Sequence, residues 1–328
     1  MNRRRLFSWL LPPALLIAAV ILLSFFSTPQ GEPVREYFLS GGNFRYFAAQ
    51  AAVVAAGALG MTLVMGAGAV DLSAGAVISL AGAAASALLR AGAPPGAAAI
   101  AALLVGAVAG AANGGVISLL RVAPFIVTLG TAGAFAALAQ WLARNPAPLP
   151  HTWVSELLAP YPEEPIILLP PGLWLTFLLT GVVALVLRNT VFGCHLFAIG
   201  SNETAARLCG VQVALTRVLT FTFAGALYGF AGLLQAGRLH QTPPGMPWAS
   251  AGLTLDLIAA AVLGGASLAG GTGNALGAVV AAFGITLLRN GTQQAGWPPY
   301  TQEFAAAAIL IGAVALSRLR KVALEAAR

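Results

Sequence analysis

Side chains that could do covalent or metal chemistry are few in this chain, and they stand apart. His151, His195 and His240 fall in segments read as loops, with no carboxylate or thiol cluster around them, so no metal site is expected. Cys194 and Cys209 lack zinc or redox spacing and read as reduced filler. There is no Gly-x-Ser-x-Gly nucleophile elbow. The only lysine is Lys321, with no glycine-rich loop before it, so the chain has no Walker A site for a nucleoside triphosphate. The run GGASLAGGTGNALG at 264–277 lacks Gly-x-Gly-x-x-Gly spacing and reads as helix-packing sequence.

One compact polar segment remains, FAIGSNETAARLCGV at 197–211. Ser201 or Asn202 is an N-cap type, Glu203 follows where its charge suits the helix dipole, and Gly210 is a natural stop after ETAARLC. The spacing predicts a helix of about two turns, too short to be stable alone. It must lie against its own bundle or a partner. Arg207 opposite small Ala205 and Ala206 gives a low-relief surface. A plain connecting helix is one reading; the paired start and stop signals favour a docking element.

Two aspartates lie close to apolar runs. A charge at mid-membrane costs roughly 2.5–3.5 kcal/mol on insertion scales and usually faces a bundle interior. Asp71 opens DLSAG, where its carboxylate can cap the helix that follows. Lining a pathway is the alternative, and the same two readings apply to Asp256.

The elements that carry these residues follow from composition. Of 328 residues, 59% are hydrophobic and 8% charged, against about 25% charged in soluble domains. Lipid is therefore the expected solvent, and the class is an all-α polytopic membrane protein. Ten apolar runs qualify as spans, approximately 7–27, 47–66, 72–89, 96–119, 125–143, 170–187, 216–236, 253–269, 273–289 and 304–319. The third is Gly/Ala-rich with almost no loop before it, and a broken or re-entrant pair is the alternative reading of the eighth and ninth. The opening MNRRRLFSWLLPPALLIAAV has the basic start of a signal peptide, but its apolar run is too long and no small-x-small site follows, so it reads as an uncleaved first span. The net charge of +7 comes from singly scattered arginines without a basic stripe, which argues against nucleic acid as a partner.

Placing the N-terminus inside puts eleven basic residues on inner segments (Arg3, Arg4, Arg5, Arg121, Arg188, Arg207, Arg217, Arg318, Arg320, Lys321, Arg328) and six on outer ones. Both termini are then cytoplasmic. The Pro-rich loop 144–170 lies outside as a semi-rigid cap, and loop 188–217 lies inside. The whole of 1–328 reads as a single transmembrane domain. Glycines four apart (Gly106, Gly110 and Gly114; Gly225 and Gly229; Gly273 and Gly277) mark close helix contacts. GAVDLSAG at 68–75 and GGASLAGG at 264–271 share a Gly-x-x-x-Leu-x-x-Gly frame at the inner boundary. Intramembrane charge pairs are not expected, which argues against an ion-coupled secondary carrier; a scaffold without transport is a further alternative.

TAARLCG at 204–210 is similar to the Glu-Ala-Ala-x-x-x-Gly loop of ABC importer permeases, with Thr204 at the acidic position and the later Ile-x-Leu-Pro part absent. The longer string FGCHLFAIGSNETAARLCGV, with VDLSAGAVISLAGA (70–83), LRVAPFIVTLGT (120–131) and LDLIAAAVLGGASLAGGTG (255–273), resembles the sugar-type permeases, of which the ribose permease is the example. The resemblance covers most of 50–320. It implies a permease subunit of a bacterial inner-membrane importer for a monosaccharide or related polyol, not itself an enzyme. It further implies pairing with a second permease copy or paralogue, a periplasmic sugar-binding protein outside, and a cytoplasmic ABC ATPase that binds the ATP and Mg; this chain needs no cofactor. The residues matching the coupling loop are Ser201, Asn202, Glu203, Thr204, Ala205, Ala206, Arg207 and Gly210. Polarity and proximity to the matching motifs select Asp71, Ser73, Asn113, Thr128 and Asn274 for the translocation pathway. An ABC permease for a branched-chain amino acid or nucleoside is the nearest alternative. The topology is open to test: in a cysteine-free background, cysteines placed at Pro160 and Glu325 should label from opposite sides of the membrane, and labelling of both from one side would sink the two-sided arrangement.

Overall fold

A computed structural model describes residues 40–144, 148–157, 169–239, 247–298 and parts of 300–312. Its elements are helices: α1 (Gly41–Gly66), α2 (Ala74–Arg90), α3 (Pro95–Leu120), α4 (Pro124–Leu142), α5 (Trp153–Glu156), α6 (Pro171–Asn189), α7 (Val191–Ser201), α8 (Glu203–Leu208), α9 (Val213–Leu239), α10 (Pro247–Leu263) and α11 (Ala275–Gln294). Six of these, α1, α3, α4, α6, α9 and α11, are long and apolar enough to cross a membrane. The eight expected spans between 47 and 289 each fall on a helix, α2 and α10 being the short ones. The runs 7–27 and 304–319 lie outside the described residues, apart from isolated helical positions up to 312. The all-helical polytopic class is therefore as expected, while the described helices do not establish the number ten.

Proline starts several of these helices for a common reason. Pro95, Pro124 and Pro171 occupy the first helical position, where no N–H is needed and a fixed φ suits the turn. The interior is filled by α1, whose residues from Phe47 to Gly66 are nearly all buried. A helix apolar all round needs such a surround. Around it stand α9, α11, α10 and α6, with α2 beside α9 and α10. On α3, α4 and α6, Val108, Leu129 and Leu178 turn outward among many exposed apolar side chains, a face that suits lipid or a second membrane chain.

Helix contacts run through the expected glycines. A Cβ on Gly106 or Gly225 would strike the other's carbonyl, and one on Gly110 would strike that of Phe221. Gly229 meets the backbone at Ala102 and Leu103. The α3 and α9 glycine series thus pack on each other, backbone against backbone. The third series behaves differently: Gly273 sits by Thr62 of α1, and Gly277 by the Gly264 carbonyl, closing the loop that enters α11.

Two connections are non-helical, and the first runs deep. Helix α2 has 17 residues, about 25 Å at helical rise, short of the roughly 30 Å hydrocarbon layer. Ile78, one turn into α2, meets Gly232 in the second half of α9, so α2 starts within the bundle. Segment 67–73 therefore climbs inward as non-helical chain, which lipid tolerates only where protein surrounds it. Helix α10 ends at Leu263 rather than 269, and 264–274 is non-helical, because consecutive glycines and positive φ at Gly265, Gly270 and Gly271 break the run. The broken-pair reading of the eighth and ninth spans describes this region.

Polar clamps hold the far end. Asn43 and Asn290 exchange amide hydrogen bonds at 3.0 and 2.9 Å, both buried, joining α1 to α11. Arg289 Nη2 donates to Asp256 Oδ1 at 2.8 Å and its Nε does so at 3.1 Å, joining α11 to α10. This pair corrects the expectation that the spans hold no charge pair: Arg289 and Asp256 are 33 apart in sequence and meet only when α10 and α11 pack. The loop 144–170 has one described helical piece, α5, closed by a capping box between Thr152 and Ser155 and seated by buried Val154 and Leu157; 145–147 and 158–168 lie outside the described residues.

Overpacking a filled contact costs about 1–3 kcal/mol. Gly225→Leu should lower both the folded yield and the melting temperature of the purified chain. Gly181→Leu, at a position with open space around it, should change neither; equal effects would mean that the α3–α9 contact is not tight.

Candidate functional site

The polar segment folds as its caps dictate. Helix α7 is capped by Thr190, whose hydroxyl accepts from Gly193 N at 3.2 Å. It ends at Ser201, and Asn202 then caps α8 by accepting from Ala205 N at 3.0 Å. Of the two N-cap candidates, Asn202 does the work. His195, expected in a loop, lies in α7 with Cys194, because FGCHLFAIGS continues the helix up to the Asn202 break. At the other end Gly210 has φ +86°, Gly210 N donates to Arg207 O and Val211 N to Ala206 O. That is a complete Schellman stop.

Helix α8 is held to the bundle in two ways. Ala206 is buried with Ile199 and Val213, and Val211 and Ala198 pack against them. Glu203 receives Arg207 at 2.9 Å and Arg217, on α9, at 2.6 Å. Partial burial works against the charged form of Glu203, but hydrogen bonds and charge from Arg217 and then Arg207 outweigh it and hold the carboxyl below its usual range. The tether is thus complete at neutral pH and is lost only as pH falls through that lowered value. The low-relief face needs one correction: Ala206 points inward, because the Schellman contact turns it toward Val211. The outward surface consists of Asn202, Thr204, Ala205, Arg207 and Leu208, the last 85% exposed. Leu208 was missed by a reading centred on polar residues.

Behind α8 three chain segments meet through glycine. Gly200 lies so close to the Gly66 carbonyl and to Gly271 N that a Cβ there would collide with both. Gly271 N donates to Gly66 O at 3.0 Å. Gly270 approaches Gly68 and Gly200, and Gly271 approaches Ser201. The two segments that share the Gly-x-x-x-Leu-x-x-Gly frame therefore touch each other and the end of α7.

Four of the five pathway candidates come together around the first of those segments. Asp71 Oδ1 accepts from Ser73 N at 2.8 Å and from Ser73 Oγ at 2.6 Å, and Asn113 Nδ2 donates to Ser73 Oγ at 2.8 Å. Thr128 Oγ1 accepts from Leu72 N at 3.1 Å. Asp71, Ser73, Asn113 and Thr128 are all buried. Capping of α2 is shared: Asp71 closes the turn at Ser73, and Thr254 of α10 accepts from Gly75 N at 2.9 Å. Asn274 stands elsewhere, half-buried at the N-cap of α11.

A bundle of apolar helices with non-helical connections and a short docked helix between long spans defines a multi-pass membrane protein. Residues 43–314 match the family described as "Branched-chain amino acid transport system / permease component", and the chain belongs to that family of ABC-importer permease subunits. Among its relatives, the ribose import permease protein RbsC of Escherichia coli is 30% identical over 314 residues, 95% of each chain. RbsC of Bacillus subtilis is 33% identical over 290 residues, 86% of each. The galactose/methyl galactoside import permease protein MglC of Salmonella typhimurium is 30% identical over 341 residues, 98% of each. The likeness to sugar-type permeases holds along nearly the whole chain, and the protein is an inner-membrane transport subunit rather than an enzyme. No solved structure matches the chain.

If Asp71 serves the turn, an amide oxygen can replace its carboxylate. Asp71→Asn should keep near-normal yield, and Asp71→Leu, which leaves the Ser73 N–H unpaired at a cost of about 1–3 kcal/mol, should lower it several-fold. Normal yield with abolished uptake for Asp71→Asn would instead make the charge itself the functional group.

Proposed function

We propose that this chain is the membrane subunit of an ATP-driven importer for a monosaccharide or related polyol. A periplasmic binding protein delivers the solute, both termini are cytoplasmic, and the segment Ser201–Gly210 docks in a cytoplasmic ABC ATPase that holds the ATP and Mg. The observation that carries the reading is the junction of Gly66, Gly200 and Gly271. Backbones in contact transmit displacement with no side chain to absorb it. A push on α8 therefore reaches both non-helical segments, 67–73 and 264–274, at once. With alternating access, those segments are the moving walls of a path along the interface with a second copy or a paralogue. Asp71, Ser73, Asn113 and Thr128 fix the first wall, and Asn274 stands where the second re-enters helix.

The sugar assignment rests on relatives named for ribose and galactose import. A second reading, a branched-chain amino acid as solute, is favoured by the family's own description. Uptake of labelled ribose, galactose and leucine by the reconstituted system separates them.

The coupling role is tested at residues that face outward. Ala205→Arg adds bulk and charge to the exposed face of α8, and Gly210→Val forces a β-branched residue into positive φ. Both variants should reach normal membrane levels, co-purify poorly with the ATPase, and lose binding-protein-stimulated ATP hydrolysis together with uptake. Full stimulation with both substitutions present would reduce Ser201–Gly210 to a connecting loop. Ala206→Arg is not equivalent, because it would expel α8 from its seat.

A further inference from the structure

At the α8 end of the bundle a cleft of about 820 Å³ opens between the α3–α4 turn, α8 and the start of α9. Arg121, Arg207 and Arg217 line it, against one acid, Glu203. Both oxygens of Glu203 are taken, one by Arg207 and one by Arg217. Arg121 is exposed and makes no hydrogen bond or ion pair among the described residues. It ends α3 with φ +52°, the one positive value at a non-glycine among them. The starts of α4 and α9, at Pro124 and Val213, also line the cleft and add the positive ends of two helix dipoles.

The surroundings of this cationic cleft are apolar. Leu119, Leu120, Phe125 and Leu215, on the same three helices, are all more than half exposed. A site with fixed positive charge beside greasy, outward-facing helix ends fits a molecule with an anionic head and acyl chains.

We infer that the cleft holds the phosphate of an anionic phospholipid, with Arg121 as its main contact and the chains lying along the exposed ends of α3, α4 and α9. The inference rests on the proposed function only in taking that lipid from the cytoplasmic leaflet. An acidic groove on the ATPase is the rival occupant, and it would leave the apolar rim without a partner.

The test uses the purified full chain in uncharged detergent, without the ATPase, and counts retained lipid by native mass spectrometry. Phosphatidylglycerol should be retained at least ten-fold better than phosphatidylcholine. Arg121→Asn removes the charge yet suits left-handed backbone, so the fold survives; it should cut phosphatidylglycerol retention about five-fold and leave phosphatidylcholine unchanged. Arg121→Lys should restore most of it. Equal retention of the two lipids, or an unchanged Arg121→Asn, overturns the inference. So does displacement of the lipid by millimolar inorganic phosphate, which would make this a free-phosphate site, or a loss of ATPase co-purification in Arg121→Asn with lipid retention intact. Because the lipid assay contains no ATPase, failure of the coupling reading would leave its result untouched.

Discussion

Backbone-on-backbone contact at glycine is the constraint on which the rest of this molecule depends. In lipid there is little hydrophobic gain from joining two apolar helices, so close packing must do the work. The α3–α9 seam meets that demand with Gly106, Gly110, Gly225 and Gly229, and the α8 end meets it with Gly66, Gly68, Gly200, Gly270 and Gly271. A single Cβ at most of these positions would collide with main chain. The seam fixes the scaffold, and the junction fixes the point where the two non-helical segments and the polar helix come together.

The non-helical segments create a second requirement. Every N–H and C=O taken out of a helix inside the bundle needs a partner. Thr128, Asp71 and Thr254 accept from the main-chain N–H groups of Leu72, Ser73 and Gly75, and Ser73 and Asn113 hold the Asp71 carboxylate in place through the Ser73 hydroxyl. Buried polar residues in an otherwise Ala- and Leu-rich interior are thus explained by the chain break they serve. Segment 264–274 is handled differently, by its own turn bonds and by Gly66 O accepting from Gly271 N.

What was legible in the sequence was mostly local. Asn202 and Gly210 announced α8 because cap and stop signals act within a few residues. Apolar runs located eight helices because lipid imposes length and composition. The α3 and α9 glycine series were readable from spacing of four, although nothing local said that they face each other. Glu203 with Arg217, Asp256 with Arg289, and Asn43 with Asn290 were not legible, since each pair is joined only by packing of separate helices. The inward turn of Ala206 was misread because a six-residue helix has no periodicity to separate its faces, and its seat, Ile199 and Val213, lies on either side of it in sequence. Asp71 was recognised as a cap type, but Thr254 as its co-worker on α2 was beyond any local signal.

The joint between α1 and α11 has a property that the neighbouring Asp256–Arg289 pair lacks. Two amides that exchange hydrogen bonds carry no net charge and do not titrate. A transmembrane voltage exerts force on a charge and none on such a pair. The Asn43–Asn290 joint is therefore electrically silent: it holds equally in an energised and a de-energised membrane, and whatever motion the ATP-driven end imposes, this joint adds no voltage dependence of its own to the cycle.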